Sequence, residues 1–393
     1  MKKVLFYYSN YCSESSKGGT EVATYRIAKA LKDTGEVEVY HAFHNLNSPA
    51  QPSFYKEILS LPKTPAKLVD RLSEFIKVHD IDSVVVMSRF FKFNNILKSI
   101  KKSHKDVKIL FMQHFAPGSE VKKTTFKAGF HLLKLNPFNF IYYLRALFYP
   151  MLKLPRTLRW QKIYREVYQN SDKVVILSEG YKKDYCKIAK IEDQEKFVAI
   201  PNIFEKSEIL KSSRLPKEKR VLILSRMDEI QKRISLALKI WKEIEQDEML
   251  NDWQLDIVGE GHNSDIVKRW VRKLGLKNVT LHGWQKREPF LERSSVLMMT
   301  SEYEGLPLSL LEAQLYECVP IAYDSFASLK DIIRDNENGV IVEKFGDIPD
   351  YVSKLKKLML DEEFRKRLSE KSNLNSNLFS SEIIAKKWLK ILT

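Results

Sequence analysis

Short runs of β-branched and aromatic residues alternate along this chain with longer stretches whose apolar positions recur at helical spacing. Such alternation predicts parallel strands joined by crossover helices. In the first half, residues 4–8, 37–40, 83–87, 108–112, 173–177 and 197–200 read as strands. In the second half the strands are 221–224, 254–258, 279–282, 296–299, 319–323 and 339–342. Each half then makes one doubly wound sheet, and the fold class is α/β. Pro201-Asn202 closes the sixth run, and the polar stretch 205–220 with Pro216 reads as a linker, so the expected domains are 1–205 and 206–379. The tail, 380–393, has Ile383, Ile384, Trp388 and Leu389 on one side of a helix and is expected to pack back on the first domain.

The length of 393 residues suits two cores. A hydrophobic fraction of 44% with 30% charged residues belongs to a globular protein and excludes disordered and fibrous classes. The start, Met1-Lys2-Lys3 followed at once by a strand, lacks the long apolar core of a signal peptide. Residues 135–144 form the longest uncharged run of the aromatic middle, about half of what a spanning helix needs. Cys12, Cys186 and Cys318 have neither metal-ligand nor redox spacing, which fits a reducing compartment and places the protein in the cytoplasm. The formal charge of +16 is unevenly spread: residues 1–205 hold 34 Lys/Arg against 20 Asp/Glu, residues 206–393 hold 32 against 30. Residues 121–165 carry ten Lys/Arg and no acid, a block that calls for an anionic partner or a solvated face.

Three segments carry candidate chemistry. Gly18-Gly19 follows the first strand and opens a helix, so backbone N–H groups and the positive end of the helix dipole are available to a phosphate. The same pair also suits an ordinary turn. Arg226 ends a strand and Lys232 lies just before a helical run, at the edge where parallel sheets bind ligands, where two cations suit a diphosphate. Two solvated surface charges are the plainer alternative. In the segment Glu304-Gly305-Leu306-Pro307-Leu308 through Glu312, glycine and proline suit a turn into a helix. Glu304 then lies in the loop and Glu312 on the helix's second turn, two acceptors for the hydroxyls of one extended ligand. Either glutamate alone reads as a cap or a surface charge.

Glu304 to Glu312 resembles the E-x₇-E motif of retaining glycosyltransferases with the GT-B fold, family 4 in particular. Residues 223–232 resemble that family's Arg-to-Lys phosphate clamp, 255–261 its strand and glycine turn, and 278–284, 319–322 and 336–342 its further elements in their usual order. The resemblance covers most of 221–345 and is thinner in the first half, where Gly18-Gly19, residues 174–178 and 200–202, and His114 fit it. It implies two Rossmann-like domains with a deep cleft between them. It also implies donor contacts from Gly18, Gly19, Gly283, Trp284, Gly305, Leu306, Pro307 and Leu308, with Arg226 and Lys232 on the diphosphate. Glu312 would take the ribose, Glu304 the transferred hexose, and His114 would stand near that sugar. Negative charge gathering on the departing diphosphate is met by fixed cations and amides, so neither metal nor cofactor is expected. The donor is a nucleoside-diphosphate sugar, UDP- or GDP-linked. Residues 327–331, His262 and Arg233 depart from the family pattern, Arg233 standing where glycine is usual, and leave the donor sugar open.

Within residues 122–155 the cations are interleaved with Phe126, Phe130, Phe138, Phe140, Tyr142, Tyr143, Phe148 and Tyr149, the composition of a membrane-interfacial segment. Pro137, Pro150 and Pro155 interrupt the helical pattern there, whereas Trp160, Ile163, Tyr164, Val167 and Tyr168 read as the buried face of a helix. The expectation is a transferase attached peripherally to the inner face of the cell membrane, acting on a lipid-linked or other glycan acceptor. No nucleic-acid motif accompanies the charge. A nucleotide-sugar epimerase on the same fold and a non-catalytic sensor remain open, because a fold does not fix a chemistry.

Overall fold

The computed structural model describes residues 1–14, 16, 19–44, 54–62, 64–87, 94–122, 130, 131, 133, 135, 140–204, 216–372 and 376–392. A first sheet contains β1 (Lys2–Tyr7), β2 (Val37–Phe43), β3 (Ile58–Ser60), β4 (Ser83–Val86), β5 (Lys108–Gln113), β6 (Lys173–Ile176) and β7 (Phe197–Ala199) in the order β3-β2-β1-β4-β5-β6-β7. A second contains β8 (Glu218–Leu224), β9 (Gln254–Val258), β10 (Val279–Gly283), β11 (Ser294–Met299), β12 (Val319–Tyr323) and β13 (Val340–Val342) in the order β10-β9-β8-β11-β12-β13. All pairings in both sheets are parallel. In each sheet the strand order reverses beside the first strand, between β1 and β4 and between β8 and β11, which makes both doubly wound.

The central strands are apolar runs because helices cover both of their faces. Val4, Leu5, Phe6 and Tyr7 of β1 are fully buried, as is every residue of β11. The helix Ile234–Ile244 buries Ile234, Ala237, Leu238, Ile240, Trp241 and Ile244, the stripe a helix needs to cover a sheet. β3, Ile-Leu-Ser, goes unread in the sequence because its short run carries one β-branched residue and no aromatic one.

The chain forms two compact units, Met1–Gly118 with Pro155–Glu205 and Leu378–Thr393, and Ser119–Leu154 with Lys206–Asn377. Residues 119–154 thus group with the second sheet, although the sequence reading assigns them to the first half; His131 of this stretch lies 3.3 Å from the fully buried Glu229. The C-terminal helix Ser381–Leu392 packs against the helix Gly19–Asp33, with the Trp388 ring 6.5 Å from that of Phe6. Its buried face is Ile384, Ala385, Trp388, Ile391 and Leu392: of the four residues expected there, Ile384 and Trp388 are buried, while Ile383 and Leu389 are half-buried.

A single 31-residue helix, Phe140–Asn170, runs through Pro150 and Pro155, which the sequence reading takes as interruptions. Proline removes one backbone donor but does not forbid the flanking turns from continuing. Trp160, Tyr164, Val167 and Tyr168 are buried as expected, whereas Ile163 is half-buried. Of the basic aromatic stretch 122–155, residues 123–129, 132, 134 and 136–139 lie outside the described residues, Phe126, Pro137 and Phe138 among them. No helix among the described residues is long and apolar enough to cross a membrane, and all three cysteines are buried free thiols.

Candidate active site

The loops leaving β8 and β11 meet at the C-terminal edge of the second sheet, where the strand order reverses. Open α/β sheets bind ligands at such a point. The β8 loop is held in shape by buried polar contacts. Glu229, fully buried, accepts from the Ser235 N–H at 2.8 Å and from the Ser235 hydroxyl at 2.7 Å, so it caps the helix Ile234–Ile244. The Glu229 N–H in turn donates to Asn263 Oδ1 at 2.9 Å, and the Asn263 N–H donates to the Met227 carbonyl at 3.2 Å. The turn after β9 lies tight against this loop. A Cβ at Gly259, which has a φ of +133°, would stand 2.0 Å from the Ser225 carbonyl oxygen, so only glycine fits.

Lys232 Nζ donates to Glu304 Oε1 at 2.5 Å, with both side chains mostly buried. Gln231 Nε2 donates to the other Glu304 oxygen at 3.0 Å and to the Tyr303 carbonyl at 3.2 Å. The sequence reading places Lys232 on a diphosphate and Glu304 on a sugar; here the two share one contact. An ammonium has three donors, so the Glu304 contact leaves two for a ligand. Burial, with the neighbouring Asp228, Glu302 and Glu304 charges adding to it, pushes the Tyr303 hydroxyl pKa well up. Arg226 is exposed at the end of β8.

The turn at Gly305-Leu306-Pro307 leads into the helix Leu308–Leu315 as the sequence suggests, with Pro307 as its N-cap. Glu312 lies on that helix, buried, and its Oε1 accepts from Arg287 Nη1 at 2.6 Å. Gly283 ends β10 with a φ of +67°, and Trp284 beside it is 74% exposed. Leu306 and Pro307 are buried, while Gly305 and Leu308 are half-buried. Behind Gly283, the buried Asp256 carboxylate takes His282 Nε2 at 2.6 Å, Arg220 Nη1 at 3.0 Å and Arg293 Nη2 at 3.1 Å. This network ties β8, β9 and β10 together below the loops.

In the first sheet, Gly19 starts its helix, whereas Gly18 lies outside the described residues. His114 follows β5. Its two ring nitrogens are shielded from solvent, and burial lowers its pKa to about 4, opposed by the Asn202 side chain. Among the described residues no three His, Cys, Asp or Glu side chains stand together as metal ligands.

Four residues that the sequence reading leaves without a role complete the second-sheet site. Glu229 and Gln231 lie inside the Arg226-to-Lys232 interval, where nothing but their position marks them. Glu302 is bonded to Arg233, the residue that stands out only as a departure from the family pattern. Arg287 meets Glu312 through the fold alone, for no local pattern relates them.

Two doubly wound sheets with cations and carboxylates at the switch point of the second define a GT-B architecture. Residues 205–374 match the family described as Glycosyl transferases group 1. The GalNAc-alpha-(1->4)-GalNAc-alpha-(1->3)-diNAcBac-PP-undecaprenol alpha-1,4-N-acetyl-D-galactosaminyltransferase of Campylobacter jejuni is 26% identical over 384 residues, 96% of this chain and 95% of that protein. The amylovoran biosynthesis glycosyltransferase AmsD of Erwinia amylovora is 32% identical over 178 residues, 45% of this chain and 48% of that one. The structure of a mutant of S. aureus TarM in complex with Fondaparinux, alpha-GlcNAc-glycerol and UDP superposes with a TM-score of 0.72 at 15% identity, covering 100% of both chains. The protein is a glycosyltransferase, and residues 205–374 are the part that resembles the group 1 family.

Proposed function

We propose that the protein is a retaining transferase of family 4 that moves a hexosyl group from a UDP- or GDP-linked sugar to a lipid-linked glycan during surface polysaccharide synthesis. The contact between Lys232 and Glu304 carries the reading. It sets a cation and a carboxylate side by side at the switch point, the pair that a departing diphosphate and a sugar hydroxyl require. Breaking the bond between sugar and diphosphate leaves the electron pair on the phosphate oxygen. Lys232 and Arg226 stabilise that charge in this proposal, while Glu304 orients the sugar and Glu312 the ribose. The backbone at Gly283 and Trp284 and at Gly305 to Leu308 borders the donor. Because Glu312 already accepts from Arg287, the ribose joins or displaces that contact. The UDP in the TarM complex favours a uridine donor, and the undecaprenol-linked acceptor in the name of the Campylobacter relative favours a polyprenyl-diphosphate-linked one.

With such an acceptor the protein would work at the inner face of the cell membrane. Ten Lys/Arg without an acid over residues 121–165 provide the attraction to anionic headgroups. Leu144, Phe148 and Leu154, all exposed, fall within an arc of about 120° at 3.6 residues per turn. One face of that helix is therefore apolar enough to enter the interface.

Incubating the purified chain with UDP- and GDP-sugars and a polyprenyl-diphosphate-linked glycan should release nucleoside diphosphate and extend the glycan with the donor's anomeric configuration. Fixed protein cations carry the leaving-group charge in this scheme, so the rate should survive EDTA. Release without glycan extension, an inverted product, or a rate abolished by EDTA and restored by a divalent cation would each remove the corresponding part of the proposal.

A further inference from the structure

Arg233 follows Lys232 directly and stands at the head of the helix Ile234–Ile244 with a φ of +53°. In this left-handed region the Cβ of an arginine crowds the next carbonyl, whereas glycine fits without strain. The side chain makes contacts that glycine lacks. It is buried, and donates from Nε to Glu302 Oε2 at 2.7 Å and from Nη2 to the same oxygen. Glu302 is two residues from Glu304. Its N–H donates to the Gln231 carbonyl at 2.7 Å, and the Thr300 hydroxyl shares its one proton between the carbonyls of Lys232 at 3.0 Å and Arg233 at 3.1 Å. The ion pair therefore closes a lacing between residues 231–233 and 300–304 around the Lys232–Glu304 contact.

We propose that Arg233 is a positioning residue, which through Glu302 holds the loop bearing Glu304 in register with Lys232. This rests on the reading of Lys232 and Glu304 as the transfer pair. The left-handed backbone turns the guanidinium toward the β11 loop while Lys232 keeps its own side chain on Glu304. Misplacement of a reacting group by as little as 1 Å costs about 10²-fold in rate, so such a lacing acts on the chemical step more than on donor affinity.

The experiment compares the full-length chain with Arg233→Gly, Arg233→Lys and Glu302→Gln by melting temperature, by hydrogen exchange of the amides at 300–305 without ligand, and by steady-state kinetics on the donor the wild type uses. Glycine removes the backbone strain together with the side chain, so the fold should survive with a melting temperature near that of the wild type. Exchange at 300–305 should accelerate in Arg233→Gly and Glu302→Gln. The kcat should fall roughly tenfold or more with donor KM little changed, and Arg233→Lys should recover part of the rate. Wild-type exchange in Arg233→Gly would overturn the proposal, as would a wild-type kcat or a fall in kcat that merely follows a fall in melting temperature. A wild-type chain that turns over no donor overturns the transfer reading instead, and the exchange measurement still decides whether Arg233 laces the loops.

Discussion

Lys232 and Glu304 are 72 positions apart in sequence and 2.5 Å apart in space, because the loops that hold them leave the adjacent strands β8 and β11. The contact fixes one donor of the ammonium and one oxygen of the carboxylate, and Gln231 fixes the other oxygen. Removing either partner takes an ion pair from a mostly buried charge, so each single variant carries a cost in stability as well as in rate. Glu304→Gln retains shape and hydrogen bonding and is the cleaner probe. It should lower kcat by about 10²- to 10³-fold, the size of a lost transition-state contact, with the fold intact by circular dichroism. Turnover at the wild-type rate would remove Glu304 from the chemistry.

At the scale of elements, the loop after β1 is pinned by a buried histidine. His41 Nε2 accepts from the Cys12 N–H at 3.1 Å, which leaves Nδ1–H to donate to the Phe6 carbonyl at 3.0 Å, so the ring is held neutral. Burial lowers its pKa to about 4, against 6.5 unperturbed, with the Phe6 and Asn10 backbone opposing the shift. A neutral form favoured by folding contributes fully above the unfolded pKa, and the contribution is lost as pH falls from about 6.5 toward 4. The loss is about 3 kcal/mol for His41, on the order of 1.4 kcal/mol per pKa unit, and His114 titrates in the same direction. Thermal melts between pH 7 and pH 4 should show this decline, and His41→Gln should flatten it; a melting temperature independent of pH would count against a buried neutral His41.

The central strands are legible in the sequence because a strand buried on both faces is written as a continuous apolar run, as in β1, β4, β11 and β12. The helix Phe140–Asn170 is legible only at its end, where Tyr164, Val167 and Tyr168 repeat at helical spacing; its earlier half hides behind Pro150 and Pro155. The glutamates of the candidate site are visible because glycine and proline frame them. Their partners are not, since Arg233 meets Glu302 across 69 positions and Arg287 meets Glu312 only through the fold.

For the whole molecule, the uneven charge is the property with the widest reach. Basic residues near an anionic leaflet contribute about 1 kcal/mol each at low salt, an attraction screened within about 10 Å at 0.1 M salt. Sedimentation with phosphatidylglycerol vesicles should bring the chain down at low salt, weaken steeply as salt rises, and give little binding to neutral phosphatidylcholine. Equal binding to both vesicle types would assign the block of residues 121–165 a different partner.

A crystal structure of the chain with UDP tests the assignment of the second sheet most directly. The diphosphate is expected within hydrogen-bonding distance of Lys232 Nζ and the Arg226 guanidinium, with the ribose hydroxyls on Glu312. A nucleotide bound elsewhere, with the Lys232–Glu304 contact untouched and remote from it, would contradict the role given to these loops.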